Sequence, residues 1–572
     1  MTWTRPYLRL SWRKWAVVAL LSALALAPVP RLMKSHATSM EESSLVQYAT
    51  MTANGAAPTK AYWTEYGPLN VYIPAMAFAV FGPSVTLERV VGFMYRLVLM
   101  AALFLLIRRH SKRAAWLGVA LAWWLLAPWG PMAYSWLGGL ACALVALYLY
   151  SPREPDQPSS NRRLAAAGFM TALALCFRPD LVLALGVGAL LTLPAQRRQW
   201  KPVVAGFGVG LIPYLVLVVT AGPGNAVRNI VIDPLFNLRS GRALPFPPSW
   251  RSSGEFFTRV QQLIDAYTDH NWYGAPLPMQ VAELFWLLMV VGAVLAATVV
   301  VARRNGNRAL VALAAFSLML FTNIYQRTDI SHLRLVGTVW VGLLPLALAY
   351  VSKRWFVRSE RVVVAGAMSF MLVATLAAPQ IVMAGFVELI GGRSSFAAPR
   401  NVVVNQGRSV QAQNRDEAAY MTAALRLVDQ NSRPGDRFFQ GPADLRLTNY
   451  NETSFYWLEP HLTPATYYLE MNPGIANTST SGLAKDVASA DVLLLSRRYD
   501  KFSEPNTSTE PGSSDPNLEV MQHFCVVGVR GWYVVLRHTT SVFVAPETSH
   551  VKGLVRMGGH GVRRCGTVGA TT

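Results

Sequence analysis

The sequence is poor in cysteine, histidine and acidic residues, and it lacks the local motifs of several large enzyme classes. Four cysteines and nine histidines occur in 572 residues, and no CxxC, HExxH or comparable metal-binding spacing is present. A phosphate-binding loop of the form GxxxxGK followed by Ser or Thr is also absent, which argues against a cytoplasmic ATP-driven machine. Although Lys and Arg outnumber Asp and Glu by 52 to 31, no basic stretch is interleaved with aromatic residues as a nucleic-acid groove requires. Nucleic-acid binding is therefore not expected.

Long apolar runs are abundant instead. Hydrophobic residues make up 52% of the chain. Several of the runs are roughly 18–22 residues long, which is enough to cross a hydrocarbon core of about 30 Å. This pattern predicts a polytopic α-helical membrane protein. The predicted spans are 15–32, 90–107, 114–128, 132–150, 164–177, 181–195, 202–221, 280–302, 309–325, 335–351 and 362–386.

One further apolar run, 68–82, decides the orientation of the chain. It carries Pro68, Asn70 and Pro74. If this run does not span and the basic N-terminus is cytoplasmic, the cytoplasmic loops contain 17 Lys and Arg and the opposing short loops contain three. If it does span, this bias is reversed. The positive-inside rule therefore favours 11 spans, a cytoplasmic N-terminus, an extracytoplasmic C-terminus and a surface-lying run at 68–82.

This topology places three segments outside the membrane: the loop 33–89, the loop 222–279 and the part of the chain after the last span. We therefore divide the chain into a transmembrane domain, 1–386, and an extracytoplasmic soluble α/β domain, 387–572. The second domain has an amphipathic stretch at 416–430. Its β-like runs are RFFQ (437–440), TYYLEM (466–471), VLLLS (492–496) and FCVVGVRGWYVVLRH (524–538). Cys525 and Cys565 also lie there, in an oxidising compartment, and either pair in a disulfide or stay separate.

Two adjacent acids, Glu41 and Glu42, directly follow the first predicted span. Ser39-x-x-Glu42 has the spacing of a capping box, and Asn54-Gly55 supplies a helix stop. In one interpretation Glu42 is a structural cap and Glu41 is a first-turn acid favoured by the helix dipole. In the other, one of them is a catalytic base at the membrane surface, and the capping role of Glu42 leaves Glu41 freer to act.

Further charged residues gather at the predicted outer face. A very short loop at 325–334 is crowded with Arg327, Asp329, His332 and Arg334, which form an anion site or are simply solvated. Arg178 and Asp180 lie at another helix end, where they form part of a pocket or a salt-bridged corner. Acids beside arginines at this face suit a phosphate-bearing substrate that is delivered from the membrane.

The first outer loop resembles that of GT-C-type glycosyltransferases, a superfamily that includes protein O-mannosyltransferases and lipid A aminoarabinose transferases. The resemblance lies in EESS (41–44) and NGAAPTKAYWTEYGPLNVYIPAMAFAVFGPSVTLERVVG (54–92). The family's first acid is usually Asp, where this chain has Glu41. The segments QRTDISHL (326–333), RPGDRFFQGPADLRLTNYNETSFYWLEP (433–460) and PATYYLEMNPG (464–474) resemble bacterial members. The matching features of the loop are the acidic pair Glu41-Glu42, Gly55, the stretch 63–68, a surface-lying helix, Phe81-Gly82 and Arg89.

The resemblance implies a bacterial plasma-membrane enzyme that transfers a sugar from a polyprenyl-phosphate donor to a hydroxyl of an envelope glycan, lipid or protein, with inversion. The general base would be Glu41, with Glu42 beside it. No cofactor and no catalytic metal are expected, as in the aminoarabinose transferases. The donor phosphate would be bound by Arg327, His332, Arg178 and Arg89, and the pocket would be completed by Glu65, Tyr66, Asp180 and Asp329.

Two other functions are compatible with the sequence. A flippase or transporter of lipid-linked sugars would need paired broken helices and internal repeats, and the sequence has no evident repeat. A non-catalytic scaffold whose exported domain binds cell-wall polymer would have outer-loop charges that are dispensable.

Overall fold

The computed structural model describes residues 33, 37–38, 41–126, 130–151, 159–192, 199–244, 279–302, 308–325, 327, 330–355, 366, 401–412, 414–448, 451–500, 504, 506–541 and 562–565. The predicted first span and almost all of the predicted last span lie outside these residues, as do Ser39 and Asp329.

The N-terminal two thirds of the described chain is helical. Helices lie at all nine predicted spans from 90–107 to 335–351. Among the described residues, three helical segments are long and apolar enough to cross a membrane: Val85–Ile107, Trp200–Ala221 and His332–Val351. That the shorter helices also span stays a prediction. The α-helices are α1 Glu41–Ala53, α2 Leu69–Phe81, α3 Val85–Ile107, α4 Lys112–Leu126, α5 Ser135–Tyr150, α6 Asn161–Phe177, α7 Val182–Thr192, α8 Trp200–Gly210, α9 Ile212–Ala221, α10 Pro223–Val227, α11 Leu238–Arg242, α12 Met279–Ala302, α13 Arg308–Met319 and α14 Ile330–Trp355.

Local signals in the sequence set several of these helix ends. The hydroxyl of Ser84 accepts a hydrogen bond from the backbone N–H of Leu87 at 3.0 Å and so caps α3. Gly82, with a φ of 84°, ends α2 in a conformation that favours glycine. The 13 residues of α2 extend for about 20 Å at 1.5 Å per residue, which is too short for the hydrocarbon core. This length agrees with a surface-lying helix, although its position in the bilayer stays a prediction.

The C-terminal region combines helices with two sheets. Five strands form a mixed sheet in the order β5-β4-β6-β8-β7, in which β4 is parallel to β5 and β6, and β8 is antiparallel to β6 and β7. Its strands are β4 Arg437–Pro442, β5 Thr463–Pro464, β6 Val492–Ser496, β7 Phe524–Arg530 and β8 Tyr533–His538. The helices of this region are α15 Arg415–Gln430, α16 Ser454–Leu458, α17 Leu483–Ala488 and α18 Asp515–His523.

The predicted amphipathic helix and three of the four predicted β-like runs are confirmed, but the prediction of a strand at TYYLEM was wrong. Backbone groups of this segment bond to side chains and to other loops instead of to a strand ladder. The N–H of Tyr467, for example, donates to Asp486 Oδ2 at 2.8 Å, and its carbonyl accepts from the N–H of Trp63 at 2.7 Å. Met471 then takes a left-handed φ of 46°, which a strand does not allow.

A second sheet joins the first loop to the C-terminal region. Strand β1 (Ala37–Thr38) is parallel to β3 (Arg408–Gln411), which forms an antiparallel hairpin with β2 (Val402–Asn405). Helix α1 begins three residues after β1, and it shares a hydrophobic core with the C-terminal region through Val46, Tyr48 and Ala49. The loop that carries the acidic pair is therefore packed against the domain that follows the membrane helices.

Cys525 and Cys565 form a disulfide that attaches residues 562–565 to β7. Of the two alternatives that the sequence leaves open, the structure has the paired one.

Candidate active site

The acidic pair at the start of α1 is split between two environments. Glu42 is fully buried and accepts two hydrogen bonds from Arg89, at 2.6 Å from Nε and 2.8 Å from Nη2. Glu41, the first residue of the helix, is exposed. The first turn of a helix favours a carboxylate at this position because it lies at the positive end of the helix dipole. Glu41 is thus accessible to a substrate, whereas Glu42 attaches α1 to α3.

The loop after α1 places a second acid, Glu65, near the C-terminal end of α6. It is half-buried and follows Trp63, whose indole N–H donates to Asp233 Oδ2 at 3.1 Å. On the other side, the N–H of Gly67 donates to the carbonyl of Phe177 at 3.2 Å. The loop that holds Glu65 is therefore attached at both ends.

Gly67 is required at this position by a close backbone approach. A Cβ atom added to it would lie 2.2 Å from the carbonyl oxygen of Cys176, which is well inside van der Waals contact. A glycine here lets the loop rest directly on the end of α6.

The C-terminal region contributes a third acid, Glu470, which is half-buried. Burial, followed by the negative charges of Glu65 and Glu41, raises the pKa of Glu470 from 4.5 to about 7, and Arg242 and Asn472 act in the opposite direction. These interactions place three carboxyl groups from separate parts of the chain within electrostatic reach of one another. The strained Met471 directly follows Glu470, a feature that clusters at functional sites.

Tyr48 supports this arrangement. It lies seven residues after Glu41 and so on the same face of α1. Burial, followed by the charges of Glu470, Tyr62 and Glu65, raises its pKa well above the ordinary value. The acids of the loops therefore face the side of α1 that carries Glu41.

Arg178 borders the acids on the side of the membrane helices. It donates to both oxygens of Asp180, at 2.9 and 2.5 Å, so the salt-bridged corner expected as one alternative is present. Its guanidinium also lies 5.3 Å from the ring centroid of Tyr66 and 4.8 Å from that of Trp136. Cation–π contacts of this kind hold the charge in place beside Glu65.

On the opposite side, two arginines meet at the C-terminal region. Arg242 donates from Nε to Asn472 Oδ1 at 2.8 Å, two residues beyond Glu470. Arg327 donates to the carbonyl of Arg242 at 3.2 Å and to both oxygens of Glu504, at 3.1 and 2.6 Å. Arg327 thus joins the segment before α14 to the C-terminal region.

The structure brings together most of the residues predicted for the site. The charges of Glu41, Glu65 and Glu470 interact, and Arg178 with Tyr66 lies beside Glu65. His332 is half-buried in the first turn of α14. Arg89 of α3 and Glu42 of α1 form a buried ion pair that joins the two helices. The roles assigned to these residues stay predictions.

Three residues at this site were not predicted: Glu470, Arg242 and Glu504. Glu470 lies in the PATYYLEMNPG segment that resembles bacterial family members, and this was the one signal in the sequence that pointed to it. Arg242 and Glu504 lie in segments with no motif, and only the fold brings Arg242 within electrostatic reach of Glu470 and Glu504 into contact with Arg327.

No protein-family model and no curated protein matches the sequence. Similar solved structures include the oligosaccharyltransferase of Archaeoglobus fulgidus in complex with zinc and sulfate, with 14% identity and a TM-score of 0.48 over 92% of this chain and 73% of that one. ArnT from Cupriavidus metallidurans bound to undecaprenyl phosphate has 13% identity and a TM-score of 0.49 over 91% of this chain and 98% of that one. Both likenesses have TM-scores below 0.5.

Proposed function

We propose that the chain is a GT-C-type membrane glycosyltransferase that transfers a sugar from a polyprenyl-phosphate donor to a hydroxyl group on the extracytoplasmic face of the membrane. The observation that carries this proposal is the convergence of an exposed acid, Glu41, with Glu65, Glu470 and Arg242 where the membrane helices meet the C-terminal region. Such a site offers a base for the acceptor and positive charge for a phosphate, next to the surface from which a lipid-linked donor arrives.

The reaction proceeds by a single displacement with inversion. Glu41 accepts the proton of the acceptor hydroxyl while the hydroxyl oxygen forms a bond to the anomeric carbon. The bond between that carbon and the phosphate oxygen breaks at the same time, and the polyprenyl phosphate leaves with the electron pair. A positioned general base contributes roughly 10²–10⁴-fold to such a step.

Positive charge must be in place where the leaving phosphate becomes more negative. Arg178 is held by Asp180 and by two aromatic rings, and Arg242, at the end of α11, bonds to Asn472 and lies within electrostatic reach of Glu470. We assign donor-phosphate binding to these two arginines together with Arg327 and His332. Arg89, which the resemblance places in the same group, is 1% exposed and is paired with the buried Glu42, so we propose that it supports α1 instead.

The acceptor enters from the side of the C-terminal region. Glu470, with a pKa near 7, is in part protonated at neutral pH and then donates a hydrogen bond to the acceptor or the donor sugar. Glu65, Tyr66 and Asp180 shape the rest of the pocket.

The test is a transfer assay with the purified full-length chain, a panel of short-chain polyprenyl-phosphate sugars and envelope-derived acceptors. Mass spectrometry of envelope glycans from cells with and without the gene identifies the missing linkage and so selects the acceptor. The enzyme is expected to form a new glycosidic bond, and Glu41→Gln is expected not to. A flippase would move the lipid-linked sugar without forming any linkage, and a scaffold would leave the glycans of Glu41→Gln cells unchanged; either result would contradict the proposal.

A further inference from the structure

A cluster of two carboxylates and an imidazole lies in the C-terminal region, apart from the candidate active site. Asp429 is in the last turn of α15, Glu459 directly follows α16, and His461 is two residues further on. One carboxylate oxygen or ring nitrogen from each residue lies within 4.8 Å of the other two. Glu459 Oε2 is 3.5 Å from His461 Nδ1, and Asp429 Oδ1 is 3.8 Å from His461 Nε2.

The buried member of this cluster lacks a partner on the side that faces the other two. Glu459 is 1% exposed. Its Oε1 accepts a hydrogen bond from Asn405 Nδ2 at 3.1 Å, whereas its Oε2 has no hydrogen-bond partner among the described residues. His461 Nδ1, which faces it, also has none within the described chain. Unsatisfied buried polar atoms of this kind are rare and call for an explanation such as an ion.

The charges in the cluster point to a cation. Two carboxylates lie close together, one of them out of contact with water, and a buried carboxylate is costly unless it is paired. In the described part of the chain, His461 is the one basic side chain within ion-pair distance of either acid. Without a cation, burial and then the charge of Asp429 raise the pKa of Glu459 to about 9, so the buried acid keeps its proton. A divalent ion would replace that proton and bind both carboxylates.

The donor set selects the type of metal. Two carboxylate oxygens and one imidazole nitrogen suit Zn²⁺ and related divalent transition metals, whereas Ca²⁺ and Mg²⁺ favour oxygen alone. In a tetrahedral zinc site with bonds of about 2.05 Å, neighbouring ligand atoms are about 3.3 Å apart. The three ligand atoms lie within 4.8 Å of one another, so they need to approach by up to about 1.5 Å to bind an ion through a single ring nitrogen of His461. Asp429 and His461 are partly exposed, so a water molecule has access to the fourth position.

We propose that Asp429, Glu459 and His461 form a structural site for a divalent transition-metal ion, with Zn²⁺ as the preferred ion. The site joins α15, the segment after α16 and the β2–β3 hairpin, which contacts it through Asn405 and Gln406. Strand β3 pairs with β1, three residues before Glu41. A metal here therefore stabilises the part of the C-terminal region on which the first loop rests.

The test uses the full-length chain, purified in detergent through a tag without histidines, so that zinc does not bind to the tag. After treatment with EDTA and desalting, Zn²⁺ is added back, the metal content is measured by elemental mass spectrometry, and the melting temperature is recorded with and without the ion. We expect about one Zn²⁺ per chain and a melting temperature several degrees higher with the ion, since a ligand that binds only the folded state stabilises it.

Variants locate the ion. His461→Gln and Asp429→Asn are expected to lose both the bound Zn²⁺ and the stabilisation. The matched control is His523→Gln, because His523 is paired with Glu519 on the surface of α18 in a similar contact at 3.6 Å. This control should keep the full response.

Co²⁺ provides a readout that does not depend on stability. It should give visible absorption bands of a nitrogen- and oxygen-ligated ion in the wild-type chain and in His523→Gln, but not in Asp429→Asn. The Asp429 side chain is partly exposed, so the fold should tolerate its replacement by Asn. The proposal is overturned if the EDTA-treated wild-type chain binds no stoichiometric Zn²⁺. It is equally overturned if His461→Gln and Asp429→Asn bind Zn²⁺ and Co²⁺ as the wild type does. A cluster held only by an imidazolium ion pair would give the first of these results.

Discussion

Arg89 donates two hydrogen bonds to Glu42, at 2.6 and 2.8 Å, and both side chains are withdrawn from solvent. This pair joins the first turn of α1 to the first turns of α3, and it uses both oxygens of the Glu42 carboxylate. Glu41, one residue earlier, is exposed. The two neighbouring acids therefore differ in what their removal should do.

Removal of the Glu41 carboxylate should abolish chemistry and leave the fold intact. Glu41→Gln keeps the size and polarity of an exposed side chain but cannot accept the proton of the acceptor, so we expect transfer to fall by roughly 10²–10⁴-fold. The melting temperature should stay within a degree or two of the wild-type value. Initial rates with a polyprenyl-phosphate sugar are the measurement, and Glu41→Asp, which retains a carboxylate, is the matched control. A Glu41→Gln enzyme that transfers at the wild-type rate would exclude Glu41 as the base.

Loss of the Glu42 carboxylate should instead reduce stability. Glu42→Gln removes the carboxylate that accepts both hydrogen bonds of Arg89 and leaves the buried guanidinium with Glu88 as its neighbouring acid, and breaking a buried pair costs about 3–5 kcal/mol. We expect a lower yield of folded protein and a markedly lower melting temperature in detergent. Replacement of both partners by apolar residues, Glu42→Leu with Arg89→Met, should recover much of the loss. If Glu42→Gln were as stable as the wild type, the ion pair would not be a structural element.

Arg327 has two roles that can be separated by experiment. It binds Glu504 with both guanidinium nitrogens, and we also assign it to the donor phosphate. If it contacts the phosphate, Arg327→Ala should raise the KM for the donor and lower kcat, while Glu504→Gln should leave the donor KM nearly unchanged. Arg327→Lys should restore activity only in part, because an ammonium group cannot make the same two-pronged contact. Equal effects of Arg327→Ala and Glu504→Gln would instead indicate that Arg327 serves only to attach the C-terminal region.

The raised pKa of Glu470 predicts a pH dependence. As pH rises through about 7, the side chain loses its proton and adds a negative charge beside Glu41 and the phosphate site. Donor binding should therefore weaken above pH 7, and kcat/KM should show an inflection there. Glu470→Gln resembles the protonated form, so its profile should lack that inflection. An inflection near pH 7 that persists in Glu470→Gln would assign it to another group.

The raised pKa of Glu470 also makes the stability of the fold depend on pH. The native state holds the Glu470 proton more tightly than the unfolded chain, whose carboxyl titrates near 4.5. The contribution of this group is fully present below pH 4.5 and is lost as pH rises to about 7. Stability should thus fall less steeply over this interval in Glu470→Gln than in the wild type, as measured by thermal unfolding at a series of pH values.

The sequence predicts features that depend on neighbouring residues and misses those that depend on distant ones. The apolar runs place nine described helices within a few residues, because length and hydropathy are local properties. The pair Glu41-Glu42 is adjacent in the chain, and a resemblance in one loop was enough to single it out. Glu470 and Arg242 are about 430 and 200 residues from Glu41, and no periodicity or spacing relates positions so far apart.

The partner of a side chain is also beyond the reach of the sequence. The spacing of Ser39 and Glu42 indicates a cap, but it contains no information about Arg89, 47 residues later. For the same reason, the cluster of Asp429, Glu459 and His461 has no motif with metal-binding spacing, since its first member is separated from the other two by a strand and a helix. The strand predicted at TYYLEM was wrong because its backbone bonds are taken by loops and side chains.

The orientation of the chain is the remaining basis of the proposed mechanism, and it can be tested with single cysteines introduced after both unpaired cysteines are replaced by alanine. Ala53 ends α1, and Ala79 is exposed on α2, the short helix that we place at the outer surface. A cysteine at either position should react with an impermeant thiol reagent added to intact cells. A cysteine at Ser159, in a loop with three basic residues, should react only after the membrane is made permeable, since the positive-inside rule assigns this loop to the cytoplasm. If the cysteine at Ser159 reacted in intact cells while those at Ala53 and Ala79 were protected, the orientation would be the opposite of the one proposed. The acids would then lie in the cytoplasm, where the proposed extracytoplasmic transfer could not occur.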